Sequence, residues 1–175
     1  MEEPRHSLLI FRTSGLDCAF PLKTVREIVP MARLSVPPGL PSGLAGFLNL
    51  RGTAVPIVRL DRLFDLPEQL PGLHTPMIVL RIASGEVLDS IGILVESVRG
   101  IVPASSRQLL ELPEDRTFQG CATAALELGG DLIHVLSPAV LLQANEDRLL
   151  ADYSAMSQAR LLHLPEKTML GTDEG

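Results

Sequence analysis

The chain has 175 residues, 15 Lys+Arg against 21 Asp+Glu for a formal net charge of −6, and 46% hydrophobic against 21% charged residues. That balance is globular and excludes a mostly disordered chain, and at this length roughly 70% of the unfolded surface can be buried. Aromatic residues make up only 3%, so the chain offers neither stacking platforms nor a basic groove, which argues against a nucleic-acid partner.

The first apolar run is Leu8-Leu9-Ile10-Phe11-Arg12, which turns at Ser14-Gly15 and returns through Asp17-Cys18-Ala19-Phe20-Pro21-Leu22. This pair reads as a β-hairpin. Residues 23–29 carry the β-branched Val25, Ile28 and Val29 and read as a helical turn passing into a strand. A Pro/Gly-rich loop follows at 35–46, with Leu40 and Leu44 as apolar residues in a segment expected to be exposed, which suggests a protein interface. Residues 44–50 and 53–58 form a second hairpin that reverses at Arg51-Gly52, because Gly tolerates positive φ. Residues 66–76 are polar and proline-bounded and read as a linker.

A second series then begins: residues 77–82, a turn at Ser84-Gly85-Glu86, residues 91–95 and residues 97–103. A long polar loop at 104–119 precedes a last hairpin, 122–128 and 132–136, which turns at Gly129-Gly130-Asp131. From Pro138 the apolar spacing changes to that of an amphipathic helix, expected over 143–163 and followed by a flexible tail at 164–175.

The two series repeat one another. Residues 19–28 lie over 92–101 at an offset of 73, sharing Val-Arg-x-Ile, and Leu50, Gly52, Val55, Ile57 and Val58 lie over Leu128, Gly130, Ile133, Val135 and Leu136 at an offset of 78. Two close offsets in the same order imply a duplicated β-module. The expected fold is all-β: two small β-barrels side by side, residues 1–70 and 71–142, with a C-terminal α-helix.

Little in this chain resembles catalytic equipment. Its four histidines stand apart, and His134, between Ile133 and Val135, reads as lying on a solvated strand face. Cys18 and Cys121 have no neighbouring His and supply neither a disulfide framework nor the four ligands of structural zinc, so buried thiols are expected. No phosphate loop, dinucleotide fingerprint or nucleophile elbow is present. A binding module with no cofactor and no metal is therefore expected, not an enzyme. No run approaches 18 apolar residues and no start-proximal stretch resembles a signal peptide, so a cytoplasmic protein without membrane insertion is expected. The residues that stand out beside turns are Val25, Glu27, Asn49 and Arg51.

The segment Gly46-Phe47-Leu48-Asn49-Leu50-Arg51-Gly52-Thr53-Ala54-Val55-Pro56-Ile57-Val58 resembles the signature of the CheW family of chemotaxis coupling proteins. The stretches at 20–28, 91–98 and 126–136 fit the same pattern in the same order. The resemblance implies two SH3-like five-stranded barrels and a non-catalytic adaptor between chemoreceptor cytoplasmic tips and the histidine kinase CheA, placed at membrane-associated receptor arrays through its partners. It implies receptor binding at Val25, Glu27, Asn49 and Arg51, and binding of the kinase regulatory domain at Leu40, Leu44, Gly46 and Phe47, where the small Gly46 would admit a close partner backbone. It implies a weaker second kinase contact near residues 112–118. A divergent or ring-forming scaffold for pilus motility or another sensory pathway is the alternative. Where the family pattern has Asp-Leu-Arg, this chain has Arg59-Leu60-Asp61, a charge exchange that leaves a local ion pair with reversed ends open.

Overall fold

A computed structural model describes residues 5–82, 90–105, 108–114, 117–144 and 146. Eleven strands are formed among them: β1 (Arg5–Thr13), β2 (Leu16–Pro21), β3 (Val25–Pro30), β4 (Leu44–Leu50), β5 (Thr53–Arg59), β6 (Pro76–Arg81), β7 (Ser90–Leu94), β8 (Ser97–Ser105), β9 (Leu109–Leu110), β10 (Ala122–Leu128) and β11 (Asp131–Leu136). A 3-10 turn at Leu22–Thr24 leads into β3, as the β-branched pattern there suggested, and a single-turn helix, α1 (Leu60–Leu63), follows β5. Residues 138–144 are helical. The rest of the expected C-terminal helix, the tail and the turn at Ser84-Gly85-Glu86 lie outside the described residues.

The strands form two sheets. Sheet I has the order β8-β1-β2-β11-β10-β9, and sheet II the order β3-β6-β7-β5-β4. The fold is thus all-β in two sheets, but a boundary at residue 70 does not separate them. Sheet I takes its first hairpin, β1–β2, from the N-terminal half, and sheet II takes β6–β7 from the C-terminal half. Each repeat lends its hairpin to the other's sheet. The two sequence offsets fit this exchange at single-residue resolution, because the parallel pair Val135↔Ala19 of sheet I becomes Ile57↔Gly92 in sheet II. Replacing each strand of sheet II by its repeat equivalent reproduces β8-β1-β2-β11-β10, to which sheet I adds only the two-residue β9.

The exchange explains why both hairpins are apolar on both faces, as strands covered on two sides must be. On β1 and β2, Leu8, Ile10 and Ala19 face the core of sheet I with Leu126, Ile133 and Val135. Their pleat neighbours Leu9, Phe11, Cys18 and Phe20 face a central cluster shared with sheet II. On β6, Met77 and Val79 join Leu48, Val55 and Ile57 in the core of sheet II, while Ile78 and Leu80 point to the central cluster. The Phe11 and Phe20 rings stack there, with centroids 4.8 Å apart.

The segment 66–76 is not a loose linker between domains. It joins β5 to β6 within sheet II and is tied down along its length. Arg59 and Asp61 form a buried bidentate pair, with Nη2–Oδ2 at 2.5 Å and Nε–Oδ1 at 3.1 Å. The same pair grips Gln69 by both backbone groups: its N–H donates to Asp61 Oδ2 at 2.9 Å, and its carbonyl accepts from Arg59 Nη2 at 2.5 Å. The exchanged charges therefore do pair. Burial alone would raise the Asp61 pKa, but the Arg59 hydrogen bond, the Gln69 N–H, the Arg59 charge and the Arg62 N–H outweigh it and hold the carboxyl below its usual 3.8. Across the sheets, Thr13 Oγ1 donates to Gln69 Oε1 at 3.2 Å and Ser14 Oγ to the Pro67 carbonyl at 2.8 Å.

His134 corrects another expectation, being only 8% exposed, with its ring edge-on to Phe118 at 5.1 Å. Phe118 also stacks on Phe64, just after α1, at 4.8 Å. The loop at 104–119 therefore contributes an aromatic contact between the halves that its polar composition concealed.

Candidate functional site

β3 and β4 are the two edge strands of sheet II. A β-bulge in β3 places Val25 opposite Leu80 and Glu27 opposite Val79, so Arg26 is the extra residue, and it donates from Nη1 to Ser90 Oγ at 3.0 Å. Bulges re-aim side chains at sheet edges. Here Val25 packs half-buried against the central cluster, and Glu27 meets the Arg51 guanidinium in an ion pair. That pair bridges the two edges of the sheet.

Arg51 and Gly52 form the two-residue reversal between β4 and β5, with φ of +50° and +86°. Both values lie in the left-handed region that a mirror-image type I turn requires. Asn49 Oδ1 accepts the Gly52 N–H at 2.9 Å, so Asn49 builds the turn that presents Arg51. The Arg51 side chain is 68% exposed. A guanidinium has five N–H donors, and those not directed at Glu27 can meet carboxylates or carbonyls in a fork. The structure brings Glu27 and Arg51 into direct contact, with Val25 two residues from Glu27 on the same edge strand.

The expected kinase-binding residues divide differently. Leu44 is buried in the central cluster and Leu40 packs against it, so neither is the exposed apolar residue that a Pro/Gly-rich loop suggested. Gly46 is buried at φ +152°, and a Cβ there would sit 2.8 Å from the Ser35 carbonyl oxygen and 2.9 Å from Leu34 Cβ. The close approach that Gly46 permits is therefore one within this chain. It lets Ser35 pair across to Phe47, by mutual N–H to carbonyl bonds of 2.9 and 2.8 Å. What is exposed on this face is Val36, at 64%, beside the half-buried Phe47. Val36 carries no local signal that distinguishes it from Leu40 and Leu44; it stands next to Ser35, which is bridged to Phe47 across the chain.

The repeat also marks residues not singled out beforehand. Ile28 and Ile101, equivalent at the 73-residue offset, are both exposed on the edge strands β3 and β8, and Val25 and its equivalent Val98 both pack against the central cluster.

Burial and then the charge of Asp17 push the Cys18 thiol up to about 12, and burial pushes Cys121 up to about 11. Both are protonated at neutral pH and are poor nucleophiles. Among the described residues no three His, Cys, Asp or Glu converge as a metal site, and no helix is long and apolar enough to cross a membrane.

Comparison with known proteins agrees with this geometry. The family model for the CheW-like domain matches residues 7–146. A chemotaxis protein CheW of Rhizobium meliloti (strain 1021) is 28% identical over 131 residues, covering 72% of this chain and 80% of that protein. One from Bacillus subtilis (strain 168) is 23% identical over 107 residues, 61% and 66% of the two chains. The crystal structure of the scaffolding protein TtCheW from Thermoanaerobacter tengcongensis superposes with a TM-score of 0.70 at 18% identity, over 80% of this chain and 89% of that one, a likeness of fold. With a family match spanning both exchanged halves, and the Asn-Leu-Arg-Gly turn built as the edge-strand geometry requires, this chain belongs to the CheW family.

Proposed function

We propose that this protein is a non-catalytic adaptor that couples the cytoplasmic tips of chemoreceptors to a CheA-type histidine kinase. The observation that carries the reading is the edge-strand site: an exposed Arg51, fixed by a left-handed turn and by Glu27, with apolar Val25 on the neighbouring edge strand. A receptor helix presenting carboxylates or carbonyls and an apolar flank suits that surface, since Arg and packed apolar anchors dominate such contacts. Asn49 serves by holding the turn. The kinase regulatory domain docks on the neighbouring face through Val36 and Phe47, and Leu40, Leu44 and Gly46 support that face from within.

The test is binding of the full chain to a receptor-tip fragment and, separately, to the regulatory domain of CheA. Arg51→Ala removes an exposed ion pair worth less than about 1 kcal/mol, so the variant folds normally. Its receptor binding falls while kinase binding is kept. Val36→Asp does the reverse. Gly46→Asp is unsuited as a kinase-face control, because it strains the Ser35 crossing before any partner arrives. Normal binding of both partners by Arg51→Ala would remove the proposed receptor site.

A further inference from the structure

The cores of the two sheets correspond residue by residue, and where they part a cleft opens. Leu126, Ile133 and Val135 of sheet I are the repeat equivalents of Leu48, Val55 and Ile57, and each set is buried in its own sheet's core. The exchanged hairpins correspond as well. Ile10↔Ala19 answers to Val79↔Gly92, and Leu8↔Pro21 to Met77↔Leu94. At this last pair sheet II is filled: Met77 is 0% and Leu94 3% exposed, and Leu34 and Ala45 pack against the same core.

Sheet I leaves that end open for two reasons. The first is side-chain size. The half-buried Pro21 stands where sheet II has the larger, buried Leu94, and the branched Leu8 reaches less far than Met77. The second is the crossing strand. Leu110 pairs with Ala125 as Ser35 pairs with Phe47, which makes Leu109 the equivalent of Leu34 and Ala124 that of Gly46. A Cβ at Gly46 would lie 2.9 Å from Leu34 Cβ. Ala124 carries such a Cβ, so Leu109 cannot close down on its strand as Leu34 does.

The result is a cleft of about 570 Å³ walled by Leu8, Pro21, Leu22, Leu109, Ala124 and Val135. A cleft of this size, mostly apolar with a few polar groups, is suited to a small molecule. Its polar groups share one character. Lys23 and His6 line it, both are exposed, and neither forms an ion pair among the described residues. No Asp or Glu among the described residues lines it. One lysine cation and one imidazole at the mouth of an apolar well match a ligand with a single anionic head and an apolar tail. We propose that this cleft binds a free medium-chain monocarboxylate, with its tail against the leucines and Val135 and its carboxylate at Lys23 and His6. A small inorganic anion would leave the apolar walls unused, and a neutral tail would leave the lysine unpaired. Lys23 belongs to the 3-10 turn Leu22–Thr24 that leads into β3, whereas Arg51 lies at the β4–β5 turn of sheet II. The site is therefore separate from Arg51 and is tested on the chain alone.

Titration of the full chain with sodium octanoate, followed by calorimetry and by methyl NMR shifts, tests the site. Saturable binding is expected, with shifts centred on Leu8, Leu22, Leu109 and Val135. From hexanoate to octanoate the affinity rises by up to about fifteenfold, since each fully buried methylene contributes about fourfold. Lys23→Ala weakens octanoate by about two- to fivefold, the range of an exposed ion pair, and leaves the binding of 1-octanol unchanged. Ala124→Leu fills the cleft from its wall and abolishes binding of both, while its circular dichroism stays that of the parent. Absence of saturable binding, or an affinity that does not depend on tail length, overturns the proposal. So do shifts centred on another surface, equal weakening of octanoate and 1-octanol by Lys23→Ala, and binding that survives in folded Ala124→Leu.

Discussion

Asp61→Ala provides a direct test of how this fold is held. The substitution leaves the Arg59 guanidinium 7% exposed without its carboxylate and removes the acceptor of the Gln69 N–H. Breaking one side of a buried pair costs about 3–5 kcal/mol, because the remaining charge is left in a poorly solvating site. For a chain of this size that corresponds to a fall in Tm of about 6–20 °C. Asp61→Asn keeps one oxygen for the Gln69 N–H and Arg59 Nη2, but it loses the charge and turns an NH2 donor toward the Arg59 Nε–H, so it recovers only about 1 kcal/mol of the loss. The pH dependence has a definite sign. Since the folded-state pKa of Asp61 is lowered from 3.8, its contribution is complete above that value and is lost as pH falls through the lower folded-state value. The stability gap between the parent chain and Asp61→Ala, measured by urea denaturation, therefore narrows in acid and is constant at neutral pH. A cost below about 1 kcal/mol, the range of solvated surface pairs, or a gap that does not narrow in acid, would refute the reasoning.

Three further outcomes follow from the packing. Gly92→Ala places a Cβ 2.3 Å from Ile57 Cδ1, an overpacking worth about 1–3 kcal/mol; Ile57→Val relieves it, because the equivalent pair in sheet I is already Ala19 against Val135, and denaturant midpoints of the single and double variants check this. Because the hairpins are exchanged, residues 1–70 expressed alone give no cooperative unfolding transition, and adding residues 71–175 restores one by circular dichroism. Cys18 and Cys121, with pKa values pushed to about 12 and about 11, do not react with a thiol reagent at neutral pH in the native state, and both titrate after denaturation.

Strand content, the duplication and the reversal at Arg51-Gly52 are legible in the residues alone. Each is a local property: apolar runs bounded by Gly and Pro, two offsets, and a Gly that accepts positive φ. Val25, Glu27 and Arg51 stand out beside turns in the sequence, and the structure brings Glu27 and Arg51 into contact. Which partner each surface residue meets is a matter of packing between distant elements. Leu40 and Leu44 look exposed in a Pro/Gly-rich loop, yet pack on the central cluster; His134 alternates like a solvated residue, yet lies under Phe118. The repeat could not say that its two hairpins change places, because β1–β2 and β6–β7 are similar enough to pair with either set of remaining strands. Nor could a proline-bounded segment announce that a buried Arg59–Asp61 pair would hold it rigid. Backbone preference and periodicity act over a few residues, whereas burial is settled by elements that meet from distant parts of the chain, and that is why the shape of the candidate surfaces emerged only once both sheets were assembled.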